Sequence, residues 1–143
     1  MYTHYWRRSK DEDISLPVWS TIREKITRII QSTKIPIEDV EITDEHIRFN
    51  GVGEDGHETF LFTRNCNEEF DFCKTARKPY DLLVQLCLLT IKEEAPFIKV
   101  TSDGEWINFN DNTYCDGWQD ALAKYKKLFG AYPPSWDHWS PLQ

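Results

Sequence analysis

No two of the four cysteines, Cys66, Cys73, Cys87 and Cys115, stand at CxxC spacing, so the usual zinc and redox frameworks are missing. Cys87 lies inside an apolar run, where burial accounts for it. An even count leaves a disulfide pair open. The chain has no Walker A spacing and no GxGxxG, which excludes the standard mononucleotide and dinucleotide loops. Its longest apolar stretch, Leu82 to Ile91, is broken by Gln85 and Thr90 and is too short to span a bilayer. The opening MYTHYWRRSKDED lacks an apolar signal core, so reduced cysteines in a cytoplasmic protein are expected. Basic residues are outnumbered, with 17 Lys+Arg against 24 Asp+Glu and a net charge of −7. That balance speaks against a general nucleic-acid coat or a membrane-surface role.

Aromatic residues, by contrast, are plentiful: 14% of the 143 residues, which argues against disorder. The length suits one domain, residues 1–143, with a core of its own. Tyr2–Trp6 reads as a short strand. Ser15 reads as a helix N-cap with Pro17 in the first turn. Trp19, Ile22, Ile26, Ile29 and Ile30 follow at helical spacing. Val40–Ile42, His46–Asn50 and Glu58–Thr63 alternate as strands of a meander, with a glycine-rich loop at residues 50–56, and Phe70–Cys73 adds a short segment. Pro79–Glu94 is apolar all round, the mark of a buried helix. Phe97–Thr101 and Trp106–Phe109 read as a hairpin. Trp118, Leu122, Tyr125, Leu128 and Phe129 form a third helical stripe, with Gly130 as its C-cap. The resulting β-α-β-β-β-α-β-β-α order predicts an α+β fold, mainly an antiparallel sheet packed against two or three helices. Residues 131–143, rich in Pro and Trp, are expected to pack on the domain or on a neighbour, which allows a homo-oligomer.

One stretch stands apart. Residues 72–80 hold three cations and no acid, so the −7 of the whole chain leaves −10 for the other 134 residues. Pro79 places Lys74, Arg77 and Lys78 just ahead of a helix N-terminus, where the dipole disfavours cations by a few tenths to about 1 kcal/mol each. A bound anion reconciles the two, since free N–H groups and the dipole attract phosphate or carboxylate. Thr75 then offers a hydroxyl and Arg77 a bidentate fork. Tyr80, Trp6 and Trp106 are candidates to stack on a base, and His4 and His57 to line the same pocket. Tyr5 and Trp118 are further aromatic candidates. Pairing with the chain's many carboxylates is the plain alternative for these cations, and Asp81 partly complements the dipole. Arg7, Arg8 and Lys10 form a second, smaller basic cluster.

Other clusters carry less. His57 and Glu58 are adjacent, hence on opposite strand faces, and lack the second histidine of HExxH and the PCxxC of zinc deaminases. Cys73 with His57 imitates a nucleophile pair on paper only. No metal, cofactor or catalytic residue is expected.

The segments Met1-Tyr2-Thr3-His4-Tyr5-Trp6, Phe49-Asn50-Gly51, His57-Glu58-Thr59-Phe60, Phe72 to Asp81 and Val100-Thr101-Ser102-Asp103-Gly104 together resemble small uncharacterised proteins of bacteria and their phages. These share a "YTHYW … FCKTARKPYD … SDG" pattern over about the first 105 residues. The resemblance implies a setting rather than a reaction: small phage proteins often counter host defence, some by sequestering nucleotide signals. Three readings follow. The first is a protein that binds and sequesters a phosphorylated, nucleotide-derived signal, such as a cyclic nucleotide or an ADP-ribose derivative, to evade antiviral immunity. The second is a protein-interaction inhibitor acting through its acidic face and aromatic tail. The third is a nucleotide-processing enzyme using His57, Glu58 or Asp103.

Overall fold

The computed structural model describes residues 1–103 and 116–133. The chain is α+β: two antiparallel three-stranded sheets and three helices form a single small domain. Strand β1 (Thr3–Arg7) is followed by α1 (Leu16–Thr33), β2 (Ile37–Ile42), β3 (His46–Gly51), β4 (Phe60–Thr63), β5 (Phe70–Lys74), α2 (Asp81–Glu94), β6 (Lys99–Ser102) and α3 (Gln119–Phe129). The strands predicted in the sequence do not share one sheet. They separate into a local meander, β2-β3-β4, and a second sheet ordered β5-β1-β6. In the second, β1 joins strands from distant parts of the chain on both of its edges. The predicted strand at Trp106–Phe109, and the tail beyond residue 133, lie outside the described residues.

Local chemistry explains the boundaries. Ser15 is extended and its Oγ accepts from the Val18 N–H, with Pro17 in the first turn of α1, as expected. The buried stripe of α1 is Trp19, Ile22, Ile26 and Ile29. Gly130 ends α3 in the left-handed region at φ 83°, where a side chain would be strained. Helix α2 runs through the centre, every residue from Leu83 to Lys92 being buried.

Both sheets turn one face inward. From the meander come Ile47, Phe49, Phe60 and Phe62; from the other sheet come His4, Trp6, Cys73, Val100 and Ser102. Trp6 packs between Phe60 and Phe62, at 5.6 and 5.9 Å between ring centres, and so welds the two sheets together. Trp19 stacks on Phe62 and donates its indole N–H to the Thr43 carbonyl, fastening α1 to the meander. No helix among the described residues is long and apolar enough to cross a membrane.

Candidate functional site

The cationic stretch begins at the end of β5 and climbs through a tight loop into α2. Thr3 pairs with Lys74 in the β1–β5 ladder, and beyond it the N–H groups of Thr75 and Ala76 both donate to the Tyr2 carbonyl, at 3.1 and 3.2 Å. The Lys74 carbonyl accepts from the Glu58 N–H (3.1 Å) and the His57 ring Nδ1 (3.0 Å), so the segment after the glycine loop buttresses the start of the turn. Next come two consecutive non-glycine residues in the left-handed region, Ala76 at φ 53° and Arg77 at φ 55°. Each such residue costs on the order of 1–3 kcal/mol and persists only where its surroundings over-determine it.

Those surroundings are a buried polar array. Asp81 Oδ1 accepts from the Thr75 hydroxyl and from His4 Nε2 (2.7 Å), while His4 Nδ1 meets Ser102 Oγ at 2.6 Å. His4 and Thr75 are fully buried. The rings of Tyr2 and Trp118 meet His4 edge-on, at 5.0 and 5.4 Å. His4 thus engages both ring nitrogens, one with the Asp81 carboxylate and one with the Ser102 hydroxyl. The array therefore ties β1, β6, the loop and the first turn of α2 together.

Above this base the side chains divide. Arg77 is exposed and lays its guanidinium over the Tyr2 ring, 4.0 Å from its centre. Lys74 is exposed with Nζ 5.7 Å from the Phe72 ring centre, and Lys78 is half-buried. His57 is exposed beside Lys74. These four predicted site residues reach solvent. Thr75, His4, Tyr80 and Trp6 are buried. Thr75 directs its hydroxyl at Asp81 rather than outward, and His4 is inside the array. Tyr80 is buried and donates to the Glu58 carbonyl at 2.5 Å. Trp6 is a core residue between the sheets. Burial leaves Tyr80 and Trp6 no open ring face for a base, so their part is support from below. Trp106 lies outside the described residues. The Asp81 carboxylate faces His4 and Thr75, so its first duty is to this array rather than to the helix dipole.

Several residues of this region were missed by sequence reasoning. Ser102 and Tyr2 complete the base of the loop, and Phe70 and Phe72 stand exposed on the strand that leads into it. The signal was present for the last two: Phe70-Asp71-Phe72-Cys73 alternates, and one alternate set of any strand faces away from the core.

The buried thiols of Cys73 and Cys87 are not poised for chemistry. Cys66, Cys73 and Cys87 are free, and burial, reinforced by the Glu58 carboxylate, pushes the Cys73 thiol up to about 12. Cys73 donates toward the Glu58 carbonyl at 3.5 Å, not toward His57. His57 and Glu58 bond separately to the backbone of Lys74, through its carbonyl and its N–H (3.4 Å to Glu58 Oε1). Among the described residues no group of three His, Cys, Asp or Glu side chains is placed to hold a metal ion. The second basic cluster is also split: the buried Arg8 guanidinium donates to the carbonyls of Thr63, Arg64 and Asn65 at 2.6–2.9 Å, whereas Arg7 and Lys10 are exposed.

Comparison with known proteins adds no relative to this picture: no family model, curated protein or solved structure matches the chain.

Proposed function

We propose that this chain binds a phosphorylated, nucleotide-derived small molecule at the loop of residues 74–78, and that it sequesters the ligand rather than transforming it. The observation that carries this reading is the left-handed pair Ala76–Arg77, which presents an exposed guanidinium, flanked in sequence by two lysines, above a buried hydrogen-bonded array. Strain held at such a cost is characteristic of ligand clamps. Lys74, Arg77 and Lys78 supply charge, and Arg77 supplies a fork that matches two phosphate oxygens. The resemblance to phage proteins supports an immune signal, cyclic nucleotide or ADP-ribose derivative, as the ligand to be removed from the host cytoplasm.

A second reading, turnover of the same ligand, is favoured by the Ser102–His4–Asp81 array. It joins a hydroxyl, an imidazole and a carboxylate in the manner of an activated serine. Ser102 and His4 are buried, which places binding first.

One experiment separates the two. The protein is heated with pyrophosphate, ADP-ribose or cyclic nucleotides, and the ligand is then recovered and chromatographed. A ligand at 100 times its Kd stabilises the fold by about 2.7 kcal/mol, a rise of roughly 10 °C for a chain of this size. Arg77→Ala is expected to weaken binding by about 10–100-fold, the loss of a charge-assisted fork. Full affinity in that variant would refute the site. A recovered product, lost in Ser102→Ala, would establish turnover.

A further inference from the structure

The sheet β5-β1-β6 has a second face on which Arg7, Phe70, Phe72, Lys74 and Lys99 are exposed. Its register sets Tyr5 opposite Phe72 and Thr101, and Arg7 opposite Phe70 and Lys99. Phe70 and Phe72 are 48% and 40% exposed, far more than rings needed only for packing. Tyr5 stacks against Phe70 at 5.9 Å with planes 25° apart, and Phe72 lies 6.3 Å from Phe70 on the same face. The rings sit side by side, and each phenylalanine offers an outer surface of its own. A cation accompanies each of them. The Arg7 guanidinium is 5.6 Å from the Phe70 ring centre, and Lys74 Nζ is 5.7 Å from that of Phe72.

Arg7 and Lys99 oppose each other directly across the ladder, an arrangement that costs stability. Among the described residues no carboxylate forms an ion pair with either. Both also line an open groove of about 590 Å³ together with Phe70 and Phe97. The two acids of that groove, Glu12 and Glu69, accept from the backbone N–H groups of Ser9 and Lys10.

We propose that this face, Phe70 and Phe72 with Tyr5 between the strands and Arg7, Lys74 and Lys99 around them, binds a short single-stranded oligonucleotide. Bases stack on the two exposed rings and phosphates meet the cations, the combination by which proteins hold single strands. The proposal deepens the reading above, on which it rests for a phosphate placed at Lys74 and Arg77: the nucleotide ligand carries at least two bases. Five residues of β5 span about 13 Å, room for two or three nucleotides and not for a long strand. An acidic peptide would use the cations and leave the rings in water. A second copy of the chain, related by a two-fold axis, would set the same cations near one another. Charge and aromaticity together therefore favour the oligonucleotide.

The test is fluorescence anisotropy of a labelled pentauridylate and of a labelled mononucleotide with the full chain. The pentamer is expected to bind more tightly than the mononucleotide. Phe70→Ala and Phe72→Ala should each weaken it by about 10-fold, the usual loss for one stacked base. Three phosphate contacts set a slope of log K against log salt of about −2, which Lys99→Gln should reduce by about 0.7. Lys99 is exposed, so this variant keeps the test valid should a phenylalanine variant misfold. Equal binding of monomer and pentamer, or affinity unchanged in both phenylalanine variants, overturns the proposal. So does sedimentation as a dimer that Phe72→Ala makes monomeric, since the face would then join two copies of the chain. Pyrophosphate stabilisation that depends on Arg77 without pentamer binding would overturn this inference and leave the phosphate site standing. Pentamer binding that depends on Phe70 and Phe72 but not on Arg77 would do the reverse.

Discussion

Ala76 and Arg77 pose the sharpest energetic question in the chain, because an L-residue in the left-handed region is disfavoured by roughly 1–2 kcal/mol and here two stand in succession. The array beneath them explains how the conformation survives. Thr75 is anchored to Asp81, Asp81 to His4, and His4 to Ser102, while the Tyr2 carbonyl collects two successive N–H groups. Buried hydrogen bonds to a carboxylate contribute about 1.5–3 kcal/mol each, enough to offset the strain. If that account is right, glycine at position 76 should relieve the local cost and lose part of the gain to its freer unfolded chain. Ala76→Gly is therefore expected to raise the unfolding free energy by about 0.5–1 kcal/mol in urea denaturation. A loss of stability there would mean that the Ala76 methyl makes contacts worth more than the strain.

The sheet β5-β1-β6 carries an analogous sacrifice in charge. Arg7 and Lys99 are cross-strand partners, and like charges so placed destabilise by a few tenths to about 1 kcal/mol. Lys99→Glu converts the repulsion into a pair. It is expected to raise the melting temperature by about 2–4 °C while weakening pentauridylate binding at least 10-fold, and a melting temperature that falls instead would deny the repulsion. Much of this architecture was legible in the sequence because its signals are local. The stripe Trp19, Ile22, Ile26, Ile29 and the Ser15 cap announce α1, and the alternation of His46–Asn50 announces β3. The pairing of β1 with β5 and β6 is not local. His4 meets Asp81 and Ser102 across 77 and 98 positions, and no periodicity encodes that. The cationic loop was visible as a charge run. Which face of each strand turns inward was not, so Trp6 was read as a stacking platform and Phe72 was passed over.

Across the whole molecule, the cations of a −7 chain are spread over helices, loop and sheet, and one of them, half-buried, holds the helices together. Lys25 Nζ joins Glu94 (2.7 Å) and the Tyr125 hydroxyl (3.0 Å), so one ammonium links all three helices around the core. Burial of two thiols in that core is expected to make the fold sensitive to alkali. The Cys73 thiol rises from 9.0 to about 12, chiefly by burial and then by the Glu58 carboxylate, and burial likewise pushes Cys87 upward. A folded pKa above the unfolded one means that the native state holds the proton longer. The contribution is fully present below about pH 9 and is lost as the pH climbs toward 12, where the unfolded chain gains by ionising and the native chain does not. Urea midpoints measured between pH 8 and 11 should therefore fall steeply above pH 9. Cys73→Ala is expected to be somewhat less stable at pH 8, from the small void it leaves, yet to show a shallower decline with pH. The slope is the quantity that decides: parallel declines in the two proteins would place the alkaline sensitivity elsewhere than at Cys73, while a shallower one would confirm that the thiol beside the loop is protonated and sealed, as a binding site without a cysteine nucleophile requires.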